Sequence, residues 1–118
     1  MMSSSLKAPT KAERERWSYF PTIGCIACRR LGHFSLPQTH HQLSGSRRIG
    51  HAATVPLCPW HHVGEPPNGS TERHAAILFG PSLAKQSKRF RDVFGSDEAM
   101  LAETNRHIEA LRSQRVGR

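Results

Sequence analysis

Cys25-Ile26-Ala27-Cys28 and, further along, Pro56-Leu57-Cys58-Pro59-Trp60-His61-His62 decide how this chain folds. A thiolate pair on a tight knuckle and a second ligand pair at a helix start can close a tetrahedron around zinc, each pair gripping the ion from one short backbone turn. That spacing assigns Cys25, Cys28, Cys58 and His61 to a structural zinc site. The plainer reading is three reduced cysteines packed as small hydrophobes, and the pairing speaks against it. A disulfide framework prefers an even cysteine count, whereas this chain has three. Structural zinc contributes on the order of 10 kcal/mol to folding. The chain needs it: of 118 residues only 36% are hydrophobic and 7% aromatic, and small domains with thin cores depend on such staples.

Working outward, residues 1–8 are polar and are expected to form a disordered tail, with 9–118 as a single domain. Thr10 and Glu13 have the spacing of a capping box, so a helix is predicted from about Lys11 to Tyr19, ending before Pro21. Residues 22–69 are dense in Gly, Pro, His and Cys and show no sustained helical period. They read as loops and one small hairpin held by metal, with Ser44 to Gly50 as the loop between its halves. A short helix is predicted near Pro59, broken by Gly64, Pro66 and Pro67. Glu72 to Phe79 reads equally as helix or strand. Ser82 is placed as the cap of a helix reaching Phe94, with Leu83, Phe90 and Phe94 on one side and Gly95 as its stop. Ser96 caps a last helix whose inner stripe is Leu101, Thr104, Ile108 and Leu111, with Arg112 and Arg115 suiting its C-terminal dipole. The fold class is therefore small α+β, zinc-stapled, with an N-terminal helix and C-terminal helices.

The formal net charge is +8, from seventeen Lys and Arg against nine acids. A basic excess of this size on so short a chain points to nucleic acid, because phosphate contacts supply most non-specific DNA affinity. The other anionic surface, a membrane, finds no support: no apolar run approaches transmembrane length and no signal-peptide core follows Met1. A soluble, intracellular protein is expected.

Histidine density is the second pattern. Six of eight histidines fall between residues 40 and 74: His40, His41, His51, His61, His62 and His74. An HNH-type (ββα-metal) nuclease needs a histidine to take a proton from the attacking water. It also needs a metal to stabilise the scissile phosphate and the leaving oxygen, and a ββα frame to fix both. This sequence offers that arrangement. His61 closes the zinc while His62 turns to a second metal. His40 partners His62 from the hairpin, and His41 is the base, which must be neutral to act. Magnesium or manganese is the expected catalytic ion, and imidazole ligands also admit zinc or nickel. Neighbours on a strand point to opposite faces, so His40 and His41 serve one site only where the strand bends or ends.

His74 has two readings, completing the catalytic metal's shell or lying on a helix surface. His33 and His107 read as bland. Arg47 and Arg48, in the loop after the His40-His41 pair, read as a clamp on the DNA backbone, since the guanidinium fork matches phosphate oxygens. Arg29 and Arg30 beside the knuckle, and Lys85, Lys88, Arg89 and Arg91, would widen the track, although any one of them is more readily a solvated surface charge. Trp60, set between zinc ligands, reads as a packing residue rather than a base-stacking one.

The residues just quoted resemble a known family. Pro9-Thr10 and Arg14, Cys25-Ile26-Ala27-Cys28, Gly32, His40-His41, Gly50-His51, Pro56-Leu57-Cys58 and Trp60-His61-His62 are similar to the phage recombination-enhancement (Ref) proteins, the RecA-dependent nucleases. The likeness spans about Pro9 to Ile108 and is weaker after Lys88-Arg89-Phe90. It implies an HNH-like fold with bound zinc, metal-dependent DNA cleavage, and targeting to RecA-coated single-stranded DNA, where the enzyme cuts at the displacement loop. It supports Cys25, Cys28, Cys58 and His61 for zinc, and His40, His41 and His62 for the active centre. It also implies a phage or prophage protein in the bacterial cytoplasm. The middle Asn of ordinary HNH enzymes is missing. His51 holds a corresponding region, as metal ligand, orienter of the base or phosphate contact. Only eight residues precede the likeness, where the family's best-known member carries a long basic extension, so weaker or absent filament binding is expected.

Two rival readings remain. A non-enzymatic zinc module that binds DNA explains the Cys3His set and the charge but gives His40, His41 and His62 no reason to converge. An adaptor that engages RecA without cutting is the other.

Overall fold

The computed structural model describes residues 7–116. Most of the expected tail, residues 1–6, lies outside the described residues. Thr10 and Glu13 form the reciprocal capping box, and α1 runs Lys11–Ser18. Pro21 does not simply stop this helix. It occupies the first turn of a new one, α2 (Phe20–Ile23), where its missing N–H costs nothing. Gly24, at φ +76, ends α2, and α3 (Ile26–Arg30) follows at once.

The region read as loops and one hairpin is thus richer than expected. Helices of four or five residues are too short to show a period in sequence, and these two surround the first knuckle. The expected hairpin is present: β1 (Gln38–His41) pairs antiparallel with β4 (Thr54–Leu57), His40 opposite Val55 and His41 opposite Thr54. Its connecting segment is itself folded into a small hairpin, β2 (Leu43–Ser44) against β3 (Arg47–Arg48), turning at Gly45 with φ +66. All four residues of β4 are buried. Pro56 is tolerated there because β4 pairs on one side only.

Helix α4 (Pro59–Val63) leaves β4 directly, so β1, β4 and α4 form a ββα unit. Glu72–Phe79, ambiguous in sequence, is helix α5, capped by the Thr71 hydroxyl. Helix α6 spans Ser87–Phe94 and does not begin at Ser82. Ser82 caps only a turn through Lys85 N, Leu83 N donates to the His61 carbonyl, and Gln86, at φ −142 and ψ 62, breaks this turn from α6. The last helix, α7, covers Asp97–Val116, with Ser96 Oγ accepting from Ala99 N.

The core gathers Phe20, Ile23, Ile26, Val55, Leu57, Trp60, Phe90, Phe94, Met100 and Ile108. Thr104 is fully buried on the inner stripe of α7, its hydroxyl satisfied by the Met100 carbonyl. The result is a small α+β fold of short antiparallel strands and helices. Arg16 binds both Thr54 Oγ1 and the Thr54 carbonyl and reaches Asn105, tying α1 to β4 and α7. Among the described residues no helix is long and apolar enough to cross a membrane.

Candidate metal centre and histidine cluster

Two copies of one local device build the metal centre. Cys25 is the N-cap of α3, and its sulfur accepts from Cys28 N. Cys58 is the N-cap of α4, and its sulfur accepts from His61 N. Each pair therefore sits at the cap and the third helical position, which places both side chains at the same helix end. Each sulfur takes up an orphan N–H of its helix. Antiparallel β1–β4 and the packing of α3 on β4 bring the two ends together. The ligand atoms of Cys25, Cys28, Cys58 and His61 all lie within 4.8 Å of one another and are buried.

The spacing can be tested against zinc. Zn–S bonds of about 2.3 Å and Zn–N of about 2.0–2.1 Å in a tetrahedron imply edges of roughly 3.8 Å between sulfurs and roughly 3.5 Å between sulfur and nitrogen. Cys28 Sγ and Cys58 Sγ are 3.8 Å apart. His61 Nδ1 lies 3.6, 3.5 and 3.3 Å from the sulfurs of Cys25, Cys28 and Cys58. The cluster is positioned to bind a metal ion such as zinc. The imidazole is set for it too: His61 Nε2 donates to the Phe79 carbonyl at 2.8 Å, which leaves Nδ1 as the lone-pair nitrogen. Ser35 Oγ donates to Cys28 Sγ at 3.0 Å.

Protonation in the cluster points the same way. Hydrogen bonds from Cys25 and Cys28 hold the Cys58 thiol far below its usual range, and the same contacts keep the proton on Cys25. Burial opposes an imidazolium at His61, but hydrogen bonds to the Cys28 and Cys58 sulfurs and to Phe79 outweigh it and push His61 up to about 9. A divalent cation at the centre would replace these protons and neutralise the Cys58 thiolate in place of the imidazolium.

His62 follows His61 on α4 and points elsewhere, because successive helical residues are turned by roughly 100°. Its ring meets His40 from β1, centroids 5.1 Å apart. Gln38 Oε1 accepts from His62 Nδ1 at 2.9 Å, so His62 Nε2 is the nitrogen left free. Burial first, then the neighbouring His62, lowers His40 to about 4, partly offset by Asp97. Burial also lowers His62. Both are neutral near pH 7, the form in which imidazole ligates metal.

His41, the next residue of β1, turns to a different neighbour. Its Nε2 lies 3.0 Å from His51 Nδ1, and His51 Nε2 lies 2.6 Å from the Lys7 carbonyl. A carbonyl only accepts, so in neutral His51 the proton is on Nε2 and Nδ1 accepts from His41. That leaves His41 Nδ1 with a free lone pair. Trp17 packs edge-on to both rings. The His41 pKa is lowered, by burial first and then by Arg48, His51 and His62.

The remaining candidates are dispersed. His74 is exposed on the first turn of α5, and none of the ring contacts joins it to His40 or His62. His33 lies edge-on to Phe79, and His107 reaches Glu103. Arg47 and Arg48 are exposed on the β2–β3 hairpin. Arg29 binds the Ile23 carbonyl, Arg30 pairs with Glu103 at 2.6 Å, and Lys88 lies 3.6 Å from Asp92. Arg89 is exposed on α6. Among the described residues, Arg47, Arg48 and Arg89 form no salt bridge with an acid. Trp60 is buried, its indole N–H on the Gly80 carbonyl.

Sequence reasoning missed the groups that orient these rings. Gln38 was legible, since it stands two residues before His40 on the same strand face. Nothing in the sequence points to the carbonyls of Lys7 and Phe79. It also missed that residues 16–64 contain no Asp or Glu at all, so both the metal cluster and the histidines lie in a stretch without carboxylates.

No curated protein matches this sequence. Residues 9–109 match the family model described as recombination enhancement, RecA-dependent nuclease. That match spans both knuckles, the paired histidines and most of α7, and the chain belongs to this family of recombination-related, RecA-dependent nucleases.

Proposed function

We propose that the chain is a metal-dependent DNA endonuclease of the HNH type that hydrolyses phosphodiester bonds and is directed by RecA filaments. The observation that carries this reading is the divergence of adjacent imidazoles on α4: His61 enters the Cys3His cluster while His62 faces His40. A module that needed only zinc has no use for the second pair.

In this reading His40 and His62 hold the catalytic cation, Gln38 orienting His62 from its far nitrogen. That cation would supply charge stabilisation at the scissile phosphate and the leaving oxygen. Because β1 ends at His41, and His62 is near enough to affect its charge, His41 can serve the same site, its Nδ1 removing the proton from the attacking water. Of the three roles open to His51, orienter of the base is favoured, because the Lys7 carbonyl and His51 together fix the tautomer of His41. Arg47 and Arg48, with Arg89 further off, carry free positive charge to hold the DNA backbone. Membership of a RecA-dependent nuclease family supports DNA and RecA as partners.

The test is nicking of supercoiled plasmid with added manganese, with and without RecA filaments on a homologous single strand. Cleavage by the wild type, and its loss in His41→Ala at unchanged zinc content, is expected. Cleavage that survives His41→Ala rejects this base. No cleavage under either condition favours the adaptor.

A further inference from the structure

The β2–β3 hairpin does more than carry two arginines. It projects from a firm base: Gln42 is buried, its side-chain amide on the Asp97 carbonyl and its backbone N–H on Ala53. Beyond that base every residue from Leu43 to Ile49 is exposed. Leu43 is 47% and Ile49 58% exposed.

The register says which side chains share a face. Leu43 stands directly opposite Arg48, and Ser44 opposite Arg47. Directly opposed residues lie on the same face, as do residues two apart on one strand. Leu43 and Arg48 therefore share a face, and His41 stands two residues before Leu43, across buried Gln42. The field of Arg48 at His41 agrees with that placement. The ribbon belongs to the 16–64 stretch, which has no acidic residue.

A scattered exposed leucine is ordinary. A leucine set between the proton-accepting histidine and an unpaired arginine on a narrow ribbon is a wedge beside a phosphate clamp. Proteins that distort DNA insert an apolar side chain at a base step and anchor it with adjacent arginines.

We propose that the hairpin is a DNA-distorting finger, Leu43 entering a base step next to the scissile phosphate while Arg48 holds the backbone, so that the favoured substrate is DNA with unstacked or underwound bases. This rests on the endonuclease reading for its link to cleavage, but not for the distortion itself.

The experiment uses the zinc-loaded full chain and two duplexes of one sequence, one fully paired and one with a three-base bubble, each carrying 2-aminopurine. Binding is followed by 2-aminopurine fluorescence without added catalytic metal, and nicking is followed with manganese. The wild type should raise the fluorescence of the paired duplex. Leu43→Ser should abolish that rise and slow nicking of the paired duplex about tenfold, while changing the bubble duplex less than twofold. Leu43→Met, which keeps the apolar reach, should restore both readings. A wild type that leaves the fluorescence flat overturns the proposal, as does a rise that persists in Leu43→Ser or an equal loss of nicking on both duplexes. In a parallel nicking arm with RecA filaments, a Leu43→Ser defect confined to that arm makes the ribbon a protein-docking surface and also overturns it. If nothing is cut but the Leu43-dependent rise remains, the endonuclease reading fails and the finger stands.

Discussion

Replacing His61 and His62 one at a time should give two unrelated failures. His61 is fully buried, its Nδ1 within 3.6 Å of three sulfurs and its Nε2 on the Phe79 carbonyl. His61→Ala removes one of four ligands and leaves three thiols with no nitrogen donor. Structural zinc contributes on the order of 10 kcal/mol, and a domain of this size has about 6–18 kcal/mol of stability in all. Losing much of that term removes most or all of the fold. His62 is only partly buried and its polar partner Gln38 is exposed. His62→Ala should cost about 1 kcal/mol, a few degrees in Tm. It should slow cleavage by roughly a thousandfold, because metal stabilisation of a transition state amounts to several kcal/mol. Zinc per chain by colorimetric release, thermal melting by circular dichroism, and plasmid nicking separate the two. The expected pattern is zinc and fold lost in His61→Ala, with zinc and fold kept but nicking lost in His62→Ala. If His62→Ala also sheds its zinc, or if His61→Ala keeps one zinc per chain and melts like the wild type, the division of labour on α4 is wrong.

Four further outcomes are expected. Two imidazoles, with Asp97 committed to Arg91, make a poor magnesium site, so manganese, zinc or nickel should support nicking better than magnesium at equal concentration. His41 has a lowered pKa, so the acid limb of the rate profile should lie below that of a free imidazole. Arg48→Ala removes one cause of the lowering and should move that limb to higher pH, while an unmoved limb would reject the coupling. His40, lowered to about 4, takes up its proton in the unfolded chain near 6.5 but in the folded chain only near 4. Its contribution is therefore complete above pH 6.5 and is lost as pH falls toward 4, by at most about 3 kcal/mol. Comparing urea unfolding of wild type and His40→Asn across that range measures it, the variant showing the shallower slope. Arg16→Ala strips two hydrogen bonds from buried Thr54 and should cost about 2 kcal/mol in urea unfolding, which an unchanged midpoint would contradict.

What the sequence determined by itself was local. The Cys3His cluster was legible because each pair lies within one helical turn, where cap and third position meet without help from the rest of the chain. The capping box of α1, the stripe of α7 and the cationic excess were legible for the same reason. Tertiary structure decided what depends on distant residues or on direction. His40 meets His62 and His41 meets His51, a choice invisible in the dipeptide. The Lys7 carbonyl selects the tautomer of His51, and Gln38 that of His62, through contacts 44 and 24 residues apart in sequence. Helix α6 starts later than Ser82 because Gln86, at φ −142 and ψ 62, leaves the helical region and breaks the chain between the Ser82 turn and α6. A hydrogen bond offered by a neighbour in space overrides the propensity of a neighbour in sequence, and the candidate active centre is made almost wholly of such bonds.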